Sequence, residues 1–463
     1  MIRHARLLAL NLALLLPAAG VPANDPQLPG QDLRMEVVRQ CAGPVLTIHS
    51  PGAGGNKYGF EGGRVVKVGS TYHLFTSEMT GDPHWVKMKL AHWTSQDRAQ
   101  WRRAGTLFES SGDFTGRDPR AALWSPTPIF DAEANRWNLF YVAYAASPDT
   151  DREWLTNHEG RIWRAVSERL GNDGINGPWK DAGIVLERGK NSDSWEGLQG
   201  TDSFFPYRVG DKWYALYGSA HTEKLPLSLW QVGLASAPAL SGPWTRCTTL
   251  NPLHVEARFI ENPIVMHLAG GSWLAVYDNH VPNEVGYTVS GDGIHWSAGQ
   301  HLVVQSGSHI WASEVRTPLG LVQEKGDSFT LFYTANEKIS GAQADGYGVT
   351  LTPGALGYVE VRLADGTTTA AGIFGSGTSA RGSFTPGLRS AFSGSGRTGV
   401  SPITRENRAS GMGVRRGVTN ETSPRDDGKN AANGSREWAG SKSSATGSKR
   451  NWEQGTILEA GLC

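Results

Sequence analysis

Five segments of the chain repeat one pattern between residue 40 and residue 364. In each segment a small or polar residue precedes an apolar strand, a turn and an aromatic-rich strand. The five segments are Glu61–Met79, Trp124–Tyr144, Thr201–Ala220, Glu261–His280 and Arg316–Asn336. Because apolar and polar residues alternate on both sides of a turn rich in Gly, Asp or Asn, each segment is predicted to be a β-hairpin.

A second element follows each of the first four hairpins. It is a short strand that ends in Ser, followed by a loop and then Trp. The Ser and Trp pairs are Ser95 and Trp101, Ser167 and Trp179, Ser236 and Trp244, and Ser290 and Trp296. Each unit therefore has about four strands, which is typical of β-propeller blades. The pattern predicts an all-β, five-bladed β-propeller. A β-sandwich with coincidental spacing is the alternative.

The N-terminal residues 1–23 have the pattern of a signal peptide. Arg3 and Arg6 precede the apolar run 7–16, and small residues suited to cleavage follow at 21–23. An uncleaved anchor is the alternative. No second hydrophobic segment is present in the sequence. We therefore expect a secreted or periplasmic protein that is soluble and monomeric, with residues 24–364 forming the propeller.

The C-terminal residues 365–463 differ in composition from the rest of the chain. Gly, Ser and Thr make up 43 of these 99 residues, and only two of the 17 Trp lie here. Such a segment buries too little apolar surface to offset the entropy of ordering it. It is predicted to be a disordered tail. A cell-wall or glycan tether and a shifted reading frame are the alternatives.

Charge and cysteine content exclude several functions. The whole chain has 44 basic and 44 acidic residues, whereas residues 24–364 have 29 basic and 36 acidic residues. A mildly acidic body argues against nucleic acid as a partner and suits neutral glycans. Three cysteines exclude a disulfide scaffold and a multi-cysteine zinc cluster. Pairing of Cys41 with Cys247 remains open, and no metal site is predicted.

In a propeller the inner strand of each blade lines the central channel, so equivalent starting positions converge at one end. These positions are Glu61, Ser125-Pro126, Asp202, Glu261 and Arg316-Thr317. Three carboxylates together suit glycoside hydrolysis, in which one is protonated and another activates water. A third negative charge raises the pKa of the acid. Arg316 either holds one carboxylate in its ionised form or binds a substrate hydroxyl. The alternative is that it forms a structural ion pair.

Three motifs resemble glycoside hydrolase family 43, a family of five-bladed propellers related to the invertase-like family 32. Glu261-Asn262-Pro263 resembles its Glu-Gly-Pro strand, and Gly200–Phe205 resembles the strand that carries its substrate-orienting Asp. Trp124-Ser125-Pro126 resembles its Trp-Ala-Pro. The resemblance covers roughly residues 45–362. It implies Glu261 as general acid and Asp202 as the residue that tunes the acid. Trp124 and Arg316 are predicted to bind substrate.

The sequence departs from the family in two blades. The first blade has Glu61 where the family has an Asp as general base, so Glu61 is predicted to be the base unless the base lies elsewhere. The fifth-blade His of the family is replaced by Arg316 or Thr317, and His309 is a substitute for substrate binding or a structural hydrogen-bonding residue. The resemblance also implies a calcium ion at the propeller axis, although no cofactor is required.

Other motifs resemble functional sites but are predicted to be structural or remain open. Arg117-Asp118-Pro119 resembles the invertase-like Arg-Asp-Pro but precedes the second hairpin, which favours a loop. Asp292–Trp296 resembles a sialidase Asp-box, which favours a structural turn away from the active face. Four Trp in loops either stack on sugars or pack between blades. They are Trp85, Trp154, Trp230 and Trp311.

The sequence therefore predicts a secreted, inverting glycoside hydrolase. Its substrate is expected to be a plant- or microbe-derived glycan such as arabinan or xylan, and neither nucleic acid nor a membrane is expected as a partner. A non-catalytic carbohydrate-binding propeller is one alternative. A glycoside phosphorylase on the same fold is the other.

Overall fold

The computed structural model describes residues 33–148, 156–223, 230–305, 311–312, 314–336 and 352–365. The predicted leader, most of the predicted tail, Trp154 and His309 lie outside these residues. The described strands form five antiparallel sheets of four strands each. The prediction of an all-β, five-bladed propeller is confirmed, and each predicted hairpin supplies the two inner strands of one blade.

Blades 1 to 3 follow one another along the chain. Blade 1 contains β2 (Gly59–Val68), β3 (Thr71–Met79), β4 (Met88–Ser95) and β5 (Arg102–Glu109). Blade 2 contains β6 (Ala122–Asp131), β7 (Arg136–Ala146), β8 (Asn157–Leu170) and β9 (Trp179–Glu187), with a short 3-10 helix at Asn172–Asn176. Blade 3 contains β10 (Asp202–Val209), β11 (Lys212–Ala220), β12 (Trp230–Ala237) and β13 (Thr245–Arg246).

Blade 5 takes its outermost strand from the start of the described chain. Blade 4 contains β14 (Glu261–His267), β15 (Trp273–Asp278), β16 (Glu284–Ser290) and β17 (Gln300–Val303). Blade 5 contains β18 (Glu314–Lys325), β19 (Ser328–Asn336), β20 (Ala355–Asp365) and β1 (Leu33–Gln40). Strand β1 pairs antiparallel with β20, with Leu33 opposite Asp365. The two ends of the propeller are therefore joined within one sheet.

The inner strands pack around the axis in chain order. Strand β2 contacts β6, β6 contacts β10, β10 contacts β14, β14 contacts β18, and β18 returns to β2. Each blade has four strands, and neighbouring strands are antiparallel. The chain therefore returns to the same end after each blade, and all five inner strands start at that end of the channel. The turn Asp292–Trp296 follows β16 and lies at the opposite end, where Asp292 accepts the backbone N–H groups of Ile294 and His295. It is a structural turn, as predicted.

Three of the four repeated Trp residues pack on an aromatic ring of another blade. Trp179 of blade 2 meets Phe75 of blade 1 edge to face, with ring centroids 6.0 Å apart. Trp101 of blade 1 meets Phe332 of blade 5 in the same way at 6.1 Å. The third such pair is Trp296 of blade 4 with Tyr207 of blade 3. Each edge-to-face pair contributes about 0.5–1.5 kcal/mol beyond its buried area. The sequence repeat therefore reflects the inter-blade seams.

Other sequence predictions are also settled by the fold. Arg117-Asp118-Pro119 lies in the loop between β5 and β6, as predicted. Cys41 and Cys247 are not in a disulfide. Within the described residues, no helix is long and apolar enough to cross a membrane.

A buried histidine pair in blade 1 makes stability depend on pH. His73 Nδ1 and His92 Nε2 are 2.9 Å apart, and burial lowers the pKa of His73 to about 4 and that of His92 to about 3. Unfolding returns both to ordinary values near 6.5. The stabilisation is therefore complete above pH 6.5 and is lost as pH falls towards 4 and 3. We expect a loss on the order of 2–5 kcal/mol in urea unfolding.

The variant His92→Phe removes one of these titrating groups and keeps the stacking against Phe75, whose ring centroid lies 4.5 Å away. Its unfolding free energy should fall less steeply between pH 6.5 and pH 4 than that of the wild type. His49→Phe, at an exposed position, is the control and should keep the wild-type slope. An unchanged slope in His92→Phe would exclude the histidine pair as the origin.

Candidate active site

A β-bulge lies within the first few residues of every inner strand. The pairing register shifts immediately after Glu61, Trp124, Asp202, Glu261 and Val315. In four blades the next residue has a positive φ, and these residues are Gly62 (66°), Ser125 (52°), Ser203 (54°) and Asn262 (50°). Non-glycine residues adopt this conformation only where surrounding structure holds them, often at functional sites. The bulges bend each strand at the same end of the channel.

The guanidinium of Arg316 lies among three carboxylates from two neighbouring blades. Its Nε is 3.1 Å from Glu61 Oε1, its Nη1 is 3.1 Å from Asp278 Oδ2, and its Nη2 is 3.8 Å from Glu261 Oε2. Arg316 is 31% exposed, whereas the side chains of Glu61 and Glu261 are 17% and 14% exposed. The predicted Glu61, Glu261 and Arg316 therefore form one cluster, which we call the Arg316 cluster together with Asp278.

Asp278 is a member of the cluster that the repeat alignment missed. It is the last residue of β15 and lies directly opposite Glu261 in the blade 4 hairpin. Its side chain is only 2% exposed, and its Oδ1 accepts the backbone N–H of His280 at 2.7 Å. Burial raises the pKa of Asp278 to about 6, although Arg316 opposes this change. Counting the hairpin register outward from Gly270-Gly271 puts Asp278 opposite Asn262, and the bulge between Glu261 and Ile264 moves it opposite Glu261.

Asp202 lies in blade 3 at the position that Glu261 has in blade 4, and its side chain is almost completely buried. Its Oδ1 accepts the backbone N–H of Ser203 at 2.6 Å, whereas its Oδ2 has no hydrogen-bond partner among the described residues. Burial raises the pKa of Asp202, and the nearby Tyr144 hydroxyl and Glu261 lower it in part. Asp202 and Glu261 therefore influence each other's protonation. Tyr144, at the end of the blade 2 hairpin, was not predicted.

Glu261 is the carboxyl that holds its proton most strongly. Burial raises its pKa well above the usual value, and the negative charges of Asp202, Asp278 and Glu61 raise it further. Arg316 alone among these neighbours lowers it. Glu261 therefore remains protonated to a higher pH than an ordinary glutamate, which is the state that a general acid requires.

Polar side chains on the bulges meet near the axis. Ser125 Oγ of blade 2 donates to Asn262 Oδ1 of blade 4 at 2.9 Å, which joins two blades that are not neighbours. The hydroxyls of Ser203 and Thr317 are buried without a hydrogen-bond partner among the described residues. Calcium prefers several oxygen ligands, including carboxylates. The described residues contain no cluster of His, Cys, Asp and Glu that could hold a metal ion, and the axial calcium stays a prediction.

The predicted aromatic residues lie at the same end of the molecule but differ in environment. Trp124 is half-buried, and its indole N–H has no partner in the described part of the chain. Trp85 has a φ of 66° and packs beside His84, and Trp230 packs beside Phe259. Trp311 stacks on Tyr333 within blade 5, which is a packing role. His309 lies outside the described residues, so its predicted role is untested.

No protein-family model and no curated protein sequence matches the chain. Solved structures do match in fold. One is a family 117 glycoside hydrolase of the marine bacterium Zobellia galactanivorans, with 11% identity over 72% of this chain and 90% of the other, and a TM-score of 0.47. A thermostable family 43 glycoside hydrolase has 15% identity over 69% and 94%, with a TM-score of 0.42.

An α-L-arabinofuranosidase from Lactobacillus brevis is a third match, with 12% identity over 65% of this chain and 92% of the other, and a TM-score of 0.44. At these identities the matches describe similarity of fold.

The ion pair between Arg316 and Asp278 predicts a pH-dependent loss of stability on mutation. Arg316→Met leaves a buried carboxyl without its cation, and breaking such a pair costs about 3–5 kcal/mol. Because the pKa of Asp278 is about 6, this carboxyl is charged at pH 8 and mostly neutral at pH 5. Urea unfolding should therefore show the larger loss at pH 8.

The matched background for this measurement is Asp278→Asn, which removes the charge but keeps the shape. There, Arg316→Met should cost less at pH 8 than it does in the wild type. Equal losses at pH 5 and pH 8, or equal losses in the two backgrounds, would show that Asp278 does not depend on Arg316 for stability.

Proposed function

We propose that the protein hydrolyses O-glycosidic bonds of a glycan or oligosaccharide. The observation that carries the proposal is the arrangement of carboxyls at one end of the channel, where Glu261 has a strongly raised pKa and Glu61 is paired with Arg316. Glycoside hydrolysis needs one carboxylic acid and one carboxylate on opposite sides of the scissile bond. The Arg316 cluster supplies both kinds of group.

Glu261 is the proposed general acid. Its proton is transferred to the glycosidic oxygen as the bond to the anomeric carbon breaks, so the leaving group departs as a neutral alcohol. The low exposure of Glu261 and the negative charges around it keep this proton in place to a higher pH than in an ordinary glutamate. Asp202 adds to this effect and is proposed to accept a hydrogen bond from a sugar hydroxyl through its unpaired Oδ2.

Glu61 is the proposed general base, and the stereochemical outcome is proposed to be inversion. Glu61 and Glu261 both contact the guanidinium of Arg316, from different nitrogens. The distance between their two carboxyl groups is therefore limited to the width of one guanidinium plus its two contacts. Inverting enzymes have roughly 6.5–9.5 Å between the two carboxyl groups, and this limit is compatible with that range. A water molecule between Glu61 and the anomeric carbon would lose its proton to Glu61 during attack.

Arg316 and Asp278 are proposed to organise the site. Asp278 is buried and fixed by the backbone N–H of His280, so it holds one edge of the guanidinium. Arg316 is proposed to contact a sugar hydroxyl, and Trp124 of blade 2 offers an indole N–H that has no partner among the described residues. These groups bind and orient the substrate, and they do not themselves transfer protons.

The proposed setting is extracellular or periplasmic. The leader pattern in residues 1–23 supports export, and the acidic excess of residues 24–364 suits neutral glycans such as arabinan or xylan. We propose a monomer with no requirement for a cofactor, for nucleic acid or for a membrane.

A second candidate is a carbohydrate-binding propeller without catalysis. The ion pair between Glu61 and Arg316 favours it, because the guanidinium contacts the carboxylate that would have to take a proton from water. A phosphorylase is a third candidate, but phosphate binding needs several cations. Within the described residues, the ion pairs of the Arg316 cluster involve one cation, Arg316.

Replacing the proposed acid tests the mechanism. Glu261→Gln should lower kcat by about 10²–10⁴-fold on substrates with poor leaving groups, because these need a proton. Aryl glycosides with acidic phenol leaving groups should lose much less. Steady-state kinetics on a panel of aryl glycosides and polysaccharides gives both values. Glu133→Gln, on the solvent-exposed salt bridge to Arg208, is the matched control and should keep wild-type kinetics.

Equal loss on both classes of leaving group would contradict an acid role for Glu261. Glycan binding by the wild type without turnover of any bound glycan would favour the binding propeller. Turnover that requires phosphate would favour the phosphorylase.

A further inference from the structure

The end of the channel opposite the Arg316 cluster contains a cavity of about 500 Å³. All five inner strands line it with residues that follow their bulges. One lining residue from each blade is Arg64, Pro128, Phe205, Val265 and Leu321. Because the proposed catalytic residues lie at the starts of the same strands, the cavity is separate from the proposed active site.

The charges that line this cavity are all positive. Arg64, Lys67 and Arg208 belong to the lining, and no Asp or Glu does among the described residues. Lys67 is 2.5 Å from Glu324 and Arg208 is 2.6 Å from Glu133, so these two charges are compensated. Arg64 has no ion pair with a carboxylate in the described part of the chain. The cavity therefore carries one uncompensated positive charge.

Arg64 has one hydrogen bond and one aromatic contact within the protein. Its Nη1 donates to the carbonyl oxygen of Pro128 at 2.8 Å, and its guanidinium lies 4.6 Å from the centre of the Phe205 ring. A guanidinium has five N–H donors, and this half-buried one has a single hydrogen bond to the protein among the described residues. Burial lowers the pKa of Arg64 to about 10, so the side chain is still charged at neutral pH.

We propose that this cavity binds a small organic carboxylate. The planar fork of arginine matches the two oxygens of a carboxylate, which would pair with the free edge of Arg64. The remaining wall includes the apolar side chains of Ile129, Val265 and Leu321, which a hydrocarbon body can contact and a bare inorganic ion cannot use. The volume lies within the roughly 300–1,000 Å³ of small-molecule sites. This binding does not depend on the proposed glycosidase activity.

Hexanoate and its neutral isostere hexanamide are the probes that test the proposal. Isothermal titration of the full chain at constant ionic strength should show hexanoate binding at one site, at least tenfold more tightly than hexanamide. Arg64→Gln should weaken hexanoate binding at least tenfold and leave hexanamide binding unchanged. Arg64→Lys keeps the charge without the fork and should retain part of the affinity. Arg102→Gln, at an exposed position on β5, is the control and should bind like the wild type.

Three results would overturn the proposal. They are equal affinity for hexanoate and hexanamide, hexanoate binding that survives in Arg64→Gln, and competition by chloride at equal concentration that shows a site for any anion. If Arg64→Gln does not fold, the comparison of Arg64→Lys with the wild type decides the matter, because a carboxylate that pairs with the fork must bind lysine more weakly.

Discussion

The antiparallel pairing of β1 with β20 holds blade 5 in place, and the channel exists only because the ring of blades is closed. This closure places Glu61, at the start of blade 1, beside Arg316, at the start of blade 5. The ion pair between them therefore crosses the seam of the ring. The chemistry proposed for the site depends on a contact between residues that are far apart in sequence.

Within the closed ring, each blade contributes side chains to the same end of the channel, and each inner strand has a β-bulge at that end. A bulge interrupts each inner strand near its start, and in four blades the residue that follows Glu61, Trp124, Asp202 or Glu261 has a positive φ. The carboxyls are then buried together, and their mutual repulsion is reduced by one guanidinium. The raised pKa values of Glu261 and Asp278 follow from burial first, with Arg316 opposing the change in both.

Much of the fold could be predicted from the sequence because the blades repeat. The hairpins gave five equivalent positions, and Glu61, Asp202, Glu261 and Arg316 lie near one another as predicted. Asp278 and Tyr144 could not be found in this way, because they come from the ends of second strands, and their position depends on pairing register. The closure by β1 was also missed, since pairing between chain ends leaves no local pattern.

The role of the repeated Trp residues illustrates a second limit of prediction from the sequence. Their spacing marked the blades, but only the structure shows that three of the four reach an aromatic ring of the preceding blade edge to face. Arg64 gave no signal in the sequence at all. A lone arginine in a strand has no special meaning in the sequence. Only the fold shows that Arg64 lines a cavity and that no Asp or Glu among the described residues lines it too.

The most direct test of this account is the titration of the Glu261 carboxyl by ¹³C NMR, with the resonance assigned by its loss in Glu261→Gln. The account predicts a titration midpoint well above the ordinary glutamate pKa of 4.5. It also predicts that Arg316→Met moves this midpoint higher still, because Arg316 lowers the pKa. A midpoint at or below 4.5, or one that does not respond to Arg316, would contradict the account.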